Sequence, residues 1–557
     1  MPDPYDLIVV GGGCNGTGIA RDAAMRGLSV LLVEKNDFAA GTTGASSGMI
    51  HGGPRYLQYE VGTTKKACRD AGYIRKIAPH LCFRIPFLVP VMQEGRPHWR
   101  NQITLELMET FFEVYDRFSS LKGGQSHTRL TGDEVRGLEP AIPAGVEGAV
   151  TFDEWGIDTN RLCVANALAA AEYGAKVHNH TEVIKVLREG QRVVGITTRH
   201  ARTGERIEHR GKIVFNATGP WSPQLANLAG VIVRIRQGKG IHLILDRRLT
   251  NMAIVSKCID GRQIFINPHE NTTMVGTTDD DYYGDLDDIP VTEDEIEYLL
   301  QGIEDVFPEI RKARIISTWR GIRPTIYGKD CYEDELSRDH LIIDHSVTER
   351  VEGIISMIGG KLASYREMAE EATDLVAKKL QSSVPCRTHL VALPGGESTP
   401  DVMGIAERCG IDSYVARRLS YRQGDKAEQI LTDVATKPQE KTLLCLCEPV
   451  TAAELRHSAR YEWADSLADI MRRTRLGSGP CQGALCAMPG AACLAEEKDW
   501  SAAETIADLE HFIDTQWRAR MNILRGDQLA QEEINQAVFC GTLQLHNLPL
   551  GRETGEE

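Results

Sequence analysis

The sequence lacks any apolar run long enough to cross a membrane. A spanning helix needs about 20 consecutive apolar residues, and the most apolar region, 82–92, is interrupted by Arg84, Pro86 and Pro90. The first residues lead directly into a strand-like segment, 7–10, instead of an apolar secretory leader. We therefore expect a cytoplasmic protein.

The sequence also lacks an excess of positive charge, internal repeats and low-complexity segments. It has 63 Lys and Arg against 78 Asp and Glu, a net charge of −15, so we expect no nucleic-acid partner. Hydrophobic residues make up 42% and charged residues 25% of the chain, which excludes disordered and fibrous classes. The 14 cysteines are mostly dispersed, as in a reducing compartment and unlike a disulfide framework.

Strand-like and helix-like segments alternate from residue 7 to about residue 380, which predicts an α/β fold with a second, partly antiparallel sheet. Proline and glycine then cluster between residues 385 and 400, which indicates a domain boundary. We predict four parts: an α/β unit over 1–395, a helical connector over 396–440, a cysteine-bearing unit over 441–495 and a helical tail over 496–557.

Gly11, Gly13 and Gly16 form a Gly-x-Gly-x-x-Gly motif directly after the first strand-like segment. The first glycine makes a tight turn, the second lets a pyrophosphate approach the backbone, and the third lets the next helix pack on the strand. That helix offers free N–H groups to phosphates. Glu34 follows the second strand, roughly 20 residues on, where a carboxylate suits ribose hydroxyls and disfavours NADP. The motif predicts dinucleotide binding, with FAD and NAD both open.

Four of the cysteines form two close pairs, Cys445 with Cys447 and Cys481 with Cys486. Four thiolates on two short loops hold either zinc or an iron–sulfur cluster. One residue separates the first pair, fewer than the two to four that are common in zinc sites. Zinc and unligated thiols remain alternatives to a cluster. The basic run 472–475 between the pairs predicts a solvated helix end, or else a counter-charge for a cluster.

Residues 101–120 carry apolar side chains at helical spacing. This stripe predicts a helix that faces the core. Docking to a partner protein or to a membrane surface is the alternative interpretation.

Several further motifs follow in a fixed order along the chain. They are Gly-Thr-Thr-Gly-Ala-Ser-Ser-Gly-Met-Ile-His-Gly-Gly-Pro-Arg-Tyr (41–56), Asn-Ala-Thr-Gly-Pro-Trp (216–221), Val-Gly-Thr-Thr (275–278), Gly-Ile-Arg-Pro (321–324), Ser-Arg-Asp (337–339) and Gly-Gly-Lys-Leu-Ala-Ser-Tyr-Arg (359–366). Together these motifs resemble the FAD-dependent glycerol-3-phosphate dehydrogenases of the amino-acid-oxidase-like superfamily, over essentially the whole chain. The cysteine unit and tail resemble those of the anaerobic large-subunit type.

The resemblance implies a Rossmann-like FAD-binding domain with an inserted mixed or antiparallel-sheet substrate domain. It also implies that the four cysteines hold a 2Fe–2S cluster in a ferredoxin-like domain related to bacterioferritin-associated ferredoxin. FAD then replaces NAD as the expected cofactor. Backbone donors near the flavin would stabilise negative charge on the reduced ring. Besides the glycine motif and Glu34, the implied FAD contacts are Lys35, Thr42, Thr43, Ser46, Ser47, Ala217, Thr218, Gly219, Gly359, Gly360 and Leu362.

The resemblance also implies a pocket for an anionic substrate. Arg323 and Arg338 match the family's phosphate-binding arginines, and a forked guanidinium suits a phosphate. Arg55 and Tyr56 match further residues of that pocket, as does Lys361.

Oxidation of an alcohol also needs a group that accepts the hydroxyl proton. His51 and His242 are the candidates, because a neutral imidazole has a suitable pKa. Lys361 is the alternative as a cation that stabilises the forming alkoxide.

The predicted reaction is oxidation of sn-glycerol 3-phosphate to dihydroxyacetone phosphate, with hydride passing to FAD and electrons passing through the cluster to a quinone-linked acceptor. The resemblance implies a companion subunit or quinone as acceptor, and peripheral association with the inner membrane face. Segment 51–57 resembles the aerobic single-subunit branch instead, which leaves the partner arrangement open. The alternatives are a dehydrogenase of a 2-hydroxy acid or secondary amine, a non-catalytic electron-transfer or redox-sensing protein, and a zinc-stabilised interaction module.

Overall fold

Two large sheets and a helical C-terminal unit make up the computed structural model, which describes residues 4–58, 61–93, 95, 97–328, 339–432, 437–524 and 527–543. This arrangement confirms the predicted α/β class with a second, partly antiparallel sheet and a helical C-terminal region. The strands are β1 (Tyr5–Val10), β2 (Val30–Val33), β3 (Cys82–Met92), β4 (Thr128–Thr131), β5 (Val146–Ile157), β6 (Lys176–His178), β7 (Thr181–Glu189), β8 (Arg192–His200), β9 (Arg206–Asn216), β10 (Ile235–Leu245), β11 (Ala253–Lys257), β12 (Gln263–His269), β13 (Thr272–Gly276), β14 (Asp280–Asp281), β15 (Ile315–Ile326), β16 (His340–Asp344), β17 (Ile354–Gly359), β18 (Leu443–Cys445) and β19 (Val450–Thr451).

Helices cover both large sheets and form most of the C-terminal unit. They are α1 (Cys14–Met25), α2 (Val61–Ile77), α3 (His98–Ser119), α4 (Gly132–Leu138), α5 (Thr159–Glu172), α6 (Ser222–Ala229), α7 (Glu293–Glu304), α8 (His345–Thr348), α9 (Tyr365–Lys379), α10 (Val402–Cys409), α11 (Ser413–Gln423), α12 (Ala427–Ile430), α13 (Ala452–Tyr461), α14 (Leu467–Thr474), α15 (Ala487–Lys498), α16 (Ala502–Arg518) and α17 (Asp527–Leu543).

The first sheet has the strand order β16-β17-β9-β1-β2-β6, and β8 joins β7 to β9. Its centre is parallel, with β1 paired to both β2 and β9. The short apolar run of β2 is buried at every position, as expected for a parallel strand with both faces covered. Helix α1 connects β1 to β2 and contacts α5 and α9. The carboxyl ends of β1, β2 and β9 therefore meet at one edge, where open α/β sheets bind ligands.

The second sheet has the strand order β14-β10-β13-β12-β11-β3-β5-β4, and β15 pairs with β10. Its strands come from two insertions into the first sheet, after β2 and after β9. Apolar side chains of β10, including Ile241 and Leu243, form one core with Leu299 of α7. The alternate residues of β10 point to the other face, because side chains alternate along a strand.

The C-terminal unit forms its own apolar core from the β18–β19 hairpin and helices α13 to α16. Buried Cys445 and Cys486 belong to this core, and Phe512 of α16 joins it. A β-carbon on Gly483 would lie 2.8 Å from the ring of Phe512, so the tail helix packs directly on the second cysteine loop.

Buried ion pairs join the C-terminal unit to the first sheet. Asp37, just after β2, accepts hydrogen bonds from Arg473 at 2.6 and 2.7 Å and from Arg472 at 2.6 Å. Asp37 and Arg473 are fully buried, so the predicted solvated helix end is wrong. Burial opposes ionisation of Asp37, but the two arginines hold the pKa of its carboxyl well below the ordinary value. Arg161 makes a second buried pair with Glu462, at 2.8 Å.

Helix α3 faces the core over only part of its predicted stripe. Leu105, Phe112 and Tyr115 are buried, whereas Ile103 is 47% exposed and Leu107 is 67% exposed. Among the helices of the described residues, none combines the length and hydropathy that a bilayer span requires.

Arg473→Met should destabilise the protein by about 3–5 kcal/mol, because removal of one partner leaves a buried charge uncompensated. Urea denaturation of the purified protein measures this loss. Arg192→Met is the matched control, since its ion pair with Glu352 is exposed and such pairs contribute about 0–1 kcal/mol. Equal losses in the two variants would contradict the role of the buried pair.

Acid should weaken the contact between Arg161 and Glu462. Burial opposes ionisation, but Arg161 holds the pKa of Glu462 at about 2, below its ordinary 4.5. The stabilisation is therefore complete above pH 4.5 and is lost as the pH falls towards 2. We expect Glu462→Gln to lower the melting temperature at pH 7 and to match wild type progressively more closely below pH 4.5. A difference that is independent of pH would contradict this.

Candidate dinucleotide site, substrate face and four-cysteine site

A cavity of about 510 Å³ opens where β1, β2 and β9 end, and it extends to the end of β17. Its volume lies within the roughly 300–1,000 Å³ typical of cofactor and small-molecule sites. Most of the predicted cofactor residues line it. They are Gly11, Gly13, Glu34, Lys35, Thr42, Thr43, Ser46, Ala217, Thr218, Gly219, Gly359, Gly360 and Leu362.

The glycine motif lets the chain just before α1 lie very close to the backbone at Ala217. A β-carbon on Gly11 would lie 2.5 Å from the carbonyl oxygen of Ala217, and Gly11 has a φ of +116°. Gly16 is outside the set of described residues that line the cavity, because it packs on the Gly11 carbonyl, where a β-carbon would clash. Gly13 caps α1 without a side-chain hydrogen bond, and the first turn holds no acid. This helix end fits a pyrophosphate.

Glu34 is fixed by two backbone donors beside the glycine motif. Its carboxylate accepts hydrogen bonds from the N–H of Gly12 at 2.6 Å and of Asn36 at 2.8 Å. Burial raises the pKa of this carboxyl. A carboxylate has about four acceptor positions, so the remaining ones are available to ribose hydroxyls.

Sequence reasoning missed several residues that line the same cavity, among them residues 181–183 at the start of β7, Trp221 and Asp287. Lys35 forms an ion pair with Asp287 at 2.5 Å, and its Nζ lies 4.2 Å from the ring centroid of Trp221. These residues come from distant parts of the chain. The position of Trp221 as the last residue of the 216–221 motif was the one usable signal in the sequence.

The face of β10 and β15 that points away from α7 meets the loop over residues 42–47. Gly240 lies opposite Gly321 in this strand pair, and His242 lies opposite Trp319. A β-carbon on Gly321 would lie 2.7 Å from that of Ala45. The pair of glycines therefore lets the sheet approach the cavity closely.

Arg323 lies on this face and is held by the protein. Its Nη1 donates to the carbonyl oxygen of Thr278 at 3.1 Å, its Nη2 donates to the hydroxyl of Thr277 at 3.0 Å, and Asp279 lies 3.2 Å away. A β-carbon on Gly240 would lie 2.5 Å from the guanidinium. About a quarter of the side chain is exposed, so an oriented cation is presented at the surface of this face.

His242 is the better defined of the two candidate proton acceptors. Its Nε2 lies 3.0 Å from the hydroxyl of Ser47, and neither residue is in the described lining of the cavity. Burial, together with Arg323, lowers the pKa of His242 to about 3, so the imidazole is neutral at ordinary pH. His51 is half-buried and is not among the described residues that line the cavity.

Lys361 and Tyr56 come together at the end of the cavity formed by residues 359–362. The ammonium of Lys361 lies 3.5 Å from the ring centroid of Tyr56, and Lys361 lines the cavity. Arg338 and the side chain of Arg55 lie outside the part of the chain that the structure describes.

The four cysteines meet between the β18–β19 hairpin and the start of α15. Their sulfurs contact one another in the order Cys447, Cys481, Cys486, Cys445. Hydrogen bonding from Cys486 lowers the pKa of Cys481 to about 5 and that of Cys445 to about 7. Backbone N–H groups also point at these two sulfurs, as is common around metal-bound thiolates.

The four sulfurs are spaced too widely for a tetrahedron around one ion, since no three of them lie within 4.8 Å of one another. A four-coordinate zinc with bonds of about 2.3 Å requires sulfurs about 3.8 Å apart. Among the described residues, Asp37, His180 and Asp469 bring three possible metal-ligand atoms within 4.8 Å of one another. This group contains no cysteine. Arg472 and Arg473 already neutralise Asp37.

Two family models match the chain. The model for FAD-dependent oxidoreductases matches residues 6–365. The model for the C-terminal domain of α-glycerophosphate oxidase matches residues 386–505.

Curated relatives match over almost the whole length. The A subunit of anaerobic glycerol-3-phosphate dehydrogenase from Escherichia coli K12 is 32% identical over 96% of this chain and 96% of its own. The A1 subunit of the Haloferax volcanii enzyme of the same name is 33% identical over 98% of this chain and 91% of its own. A glycerol-3-phosphate dehydrogenase structure from Bacillus halodurans, complexed with FAD, shares the fold with a TM-score of 0.72 at 24% identity, and the match covers 94% of this chain and 97% of that one. The chain therefore belongs to the family of FAD-dependent glycerol-3-phosphate dehydrogenases.

Proposed function

We propose that the protein oxidises sn-glycerol 3-phosphate to dihydroxyacetone phosphate and passes the electrons through a 2Fe–2S cluster to an external acceptor. The observation that carries the proposal is the contact between the dinucleotide cavity and the sheet face that presents Arg323 and His242. This contact sets the two strands that carry Arg323 and His242 against the loop over residues 42–47, and Thr42, Thr43 and Ser46 of that loop line the cavity.

The residues of the cavity fit FAD. The uncapped start of α1 receives the pyrophosphate, Glu34 accepts hydrogen bonds from the ribose, and residues 359–362 lie at the flavin end. Bound FAD supplies a two-electron hydride acceptor. The protein holds the substrate and removes its hydroxyl proton.

Arg323 binds the substrate phosphate in this proposal, together with Arg338. A guanidinium fork donates paired hydrogen bonds to phosphate oxygens. Tyr56, Arg55 and Lys361 complete the pocket.

His242 accepts the hydroxyl proton. The imidazole is neutral, and its Nδ1 has no hydrogen-bond partner among the described residues. His51 is the second candidate for this role, and Lys361 stabilises the alkoxide that forms during proton removal.

The four cysteines hold the cluster. The wide spacing of their sulfurs and the backbone donors around them suit two irons better than one zinc. A cluster carries electrons singly, so it links a two-electron flavin to a quinone-linked acceptor. We assign that acceptor to a companion subunit or quinone at the inner membrane face, where the protein associates peripherally from the cytoplasm.

Arg323→Gln should raise KM for sn-glycerol 3-phosphate by roughly 10- to 150-fold, because a hydrogen bond to a charged group contributes about 1.5–3 kcal/mol. Steady-state kinetics with a dye acceptor measures KM and kcat separately. Arg320→Gln is the matched control, since Arg320 lies on the same strand but on the opposite face. A normal KM in Arg323→Gln would contradict the assignment.

Anaerobically purified protein should contain two irons and two sulfides per chain. Cys481→Ser should lose this cluster, while the flavin is still bleached by sn-glycerol 3-phosphate and electron delivery to a one-electron acceptor falls. Iron and zinc analysis with visible spectra tests this. Cys493→Ser is the control, since Cys493 is buried in the same core outside the four. One zinc per chain and no iron would overturn the cluster.

A further inference from the structure

The face of β10 and β15 that carries Arg323 and His242, here called the substrate face, extends from the cavity towards the C-terminal unit. Ser46 lines the cavity, and its neighbour Ser47 bonds His242. Trp319 lies directly opposite His242 on β15, so both side chains are on this face. The indole packs against Ile244, which fills the space beside it.

The imidazole of His269 lies next to the indole of Trp319 on the same face. The ring of His269 meets Trp319 edge to face, with centroids 5.1 Å apart and an interplanar angle of 89°. This geometry is a favoured one for aromatic rings. Burial, with a contribution from Arg475, lowers the pKa of His269 to about 4, so the ring is neutral.

The turn after His269 is anchored to the backbone of a predicted cluster ligand. The side-chain amide of Asn271 donates to the carbonyl oxygen of Cys447 at 3.3 Å. Glu270 and Glu448 share Arg418, which lies 2.5 Å from each. The two residues of this turn are therefore linked to Cys447 and to its neighbour Glu448.

The strand that carries Trp319 is tied to the same unit. The backbone N–H and the hydroxyl of Thr318 donate to the carbonyl oxygen of Ala519, at 2.9 and 2.8 Å. Ala519 directly follows α16, the helix that packs on the second cysteine loop. The indole thus lies next to a hydrogen-bonded attachment between the second sheet and the C-terminal unit.

We propose that Trp319 and His269 form the bridge through which electrons pass from the flavin end of the cavity to the four-cysteine site. The proposal rests on the proposed function, since it needs both a flavin and a cluster. Electron tunnelling slows steeply with distance and is faster through packed atoms than through gaps. The edge-to-face contact of Trp319 with His269 supplies packed atoms along this face.

The electron balance is set by the two centres. The substrate loses a hydride and a proton, and the flavin gains two electrons. Each transfer oxidises the flavin by one electron and reduces the cluster by one. An external one-electron acceptor, such as ferricyanide, reoxidises the cluster between the two transfers. Trp319 and His269 are the medium of transfer and are neither oxidised nor reduced.

Anaerobic stopped-flow mixing of the complete, oxidised enzyme with sn-glycerol 3-phosphate tests the bridge. Flavin bleaching reports the first step, and freeze-quenched electron paramagnetic resonance reports cluster reduction. Trp319→Leu should slow cluster reduction relative to flavin bleaching by about tenfold, equivalent to about 1.4 kcal/mol of added barrier. His269→Leu should do the same, and Trp319→Phe should recover part of the rate. Redox titration should show unchanged midpoint potentials for both centres.

Trp463→Leu is the matched control, because Trp463 contacts Phe38 at the boundary between the same two units but away from this face. It should transfer electrons at the wild-type rate. Wild-type cluster reduction in both Trp319→Leu and His269→Leu would overturn the bridge and leave the proposed function intact. Equal slowing in Trp463→Leu would also overturn it. A wild-type protein with no iron–sulfur signal would overturn both proposals.

Discussion

The pairing of Asp37 with Arg473 is the constraint on which the arrangement of the two sites depends. Neither group has access to water, and a buried carboxylate is tolerated only with partners that compensate its charge. Asp37 lies three residues after Glu34, at the edge of the cavity, and Arg473 lies between the two cysteine loops. The pair therefore fixes the cysteine unit against the dinucleotide site, and Arg161 with Glu462 adds a second attachment.

The electrostatics of the face that carries Arg323 and His242 depend on how neighbouring groups compensate the partly buried charge of Arg323. Asp279 and two neighbouring hydrogen-bond acceptors compensate the Arg323 guanidinium for its partial burial. The same cation, with burial, lowers the pKa of His242 and keeps the imidazole uncharged. One arrangement thus holds a compensated cation and an uncharged imidazole side by side on this face.

Short-range sequence patterns were enough to predict those parts of the structure that depend on neighbouring residues. The glycine motif and β2 could be identified because their spacing and apolar runs are set by neighbours in the chain. The lining at residues 181–183 could not, since β7 reaches the cavity only through the order of strands in the sheet. The basic run 472–475 was predicted wrongly for the same reason. In sequence, a run of arginines is typical of a solvated surface. Only the fold brings Asp37, from near the other end of the chain, into contact with this run.

The separation of that partner in sequence has a consequence during protein synthesis. Asp37 and Arg473 are 436 residues apart. All strands of the first sheet are therefore synthesised while Asp37 still lacks the cation that it contacts in the folded protein. The segment after β2 reaches its final contacts only when α14 has been translated and has docked. The contact that holds Asp37 beside the cavity is thus completed late in synthesis, although Asp37 itself is among the first residues to be made.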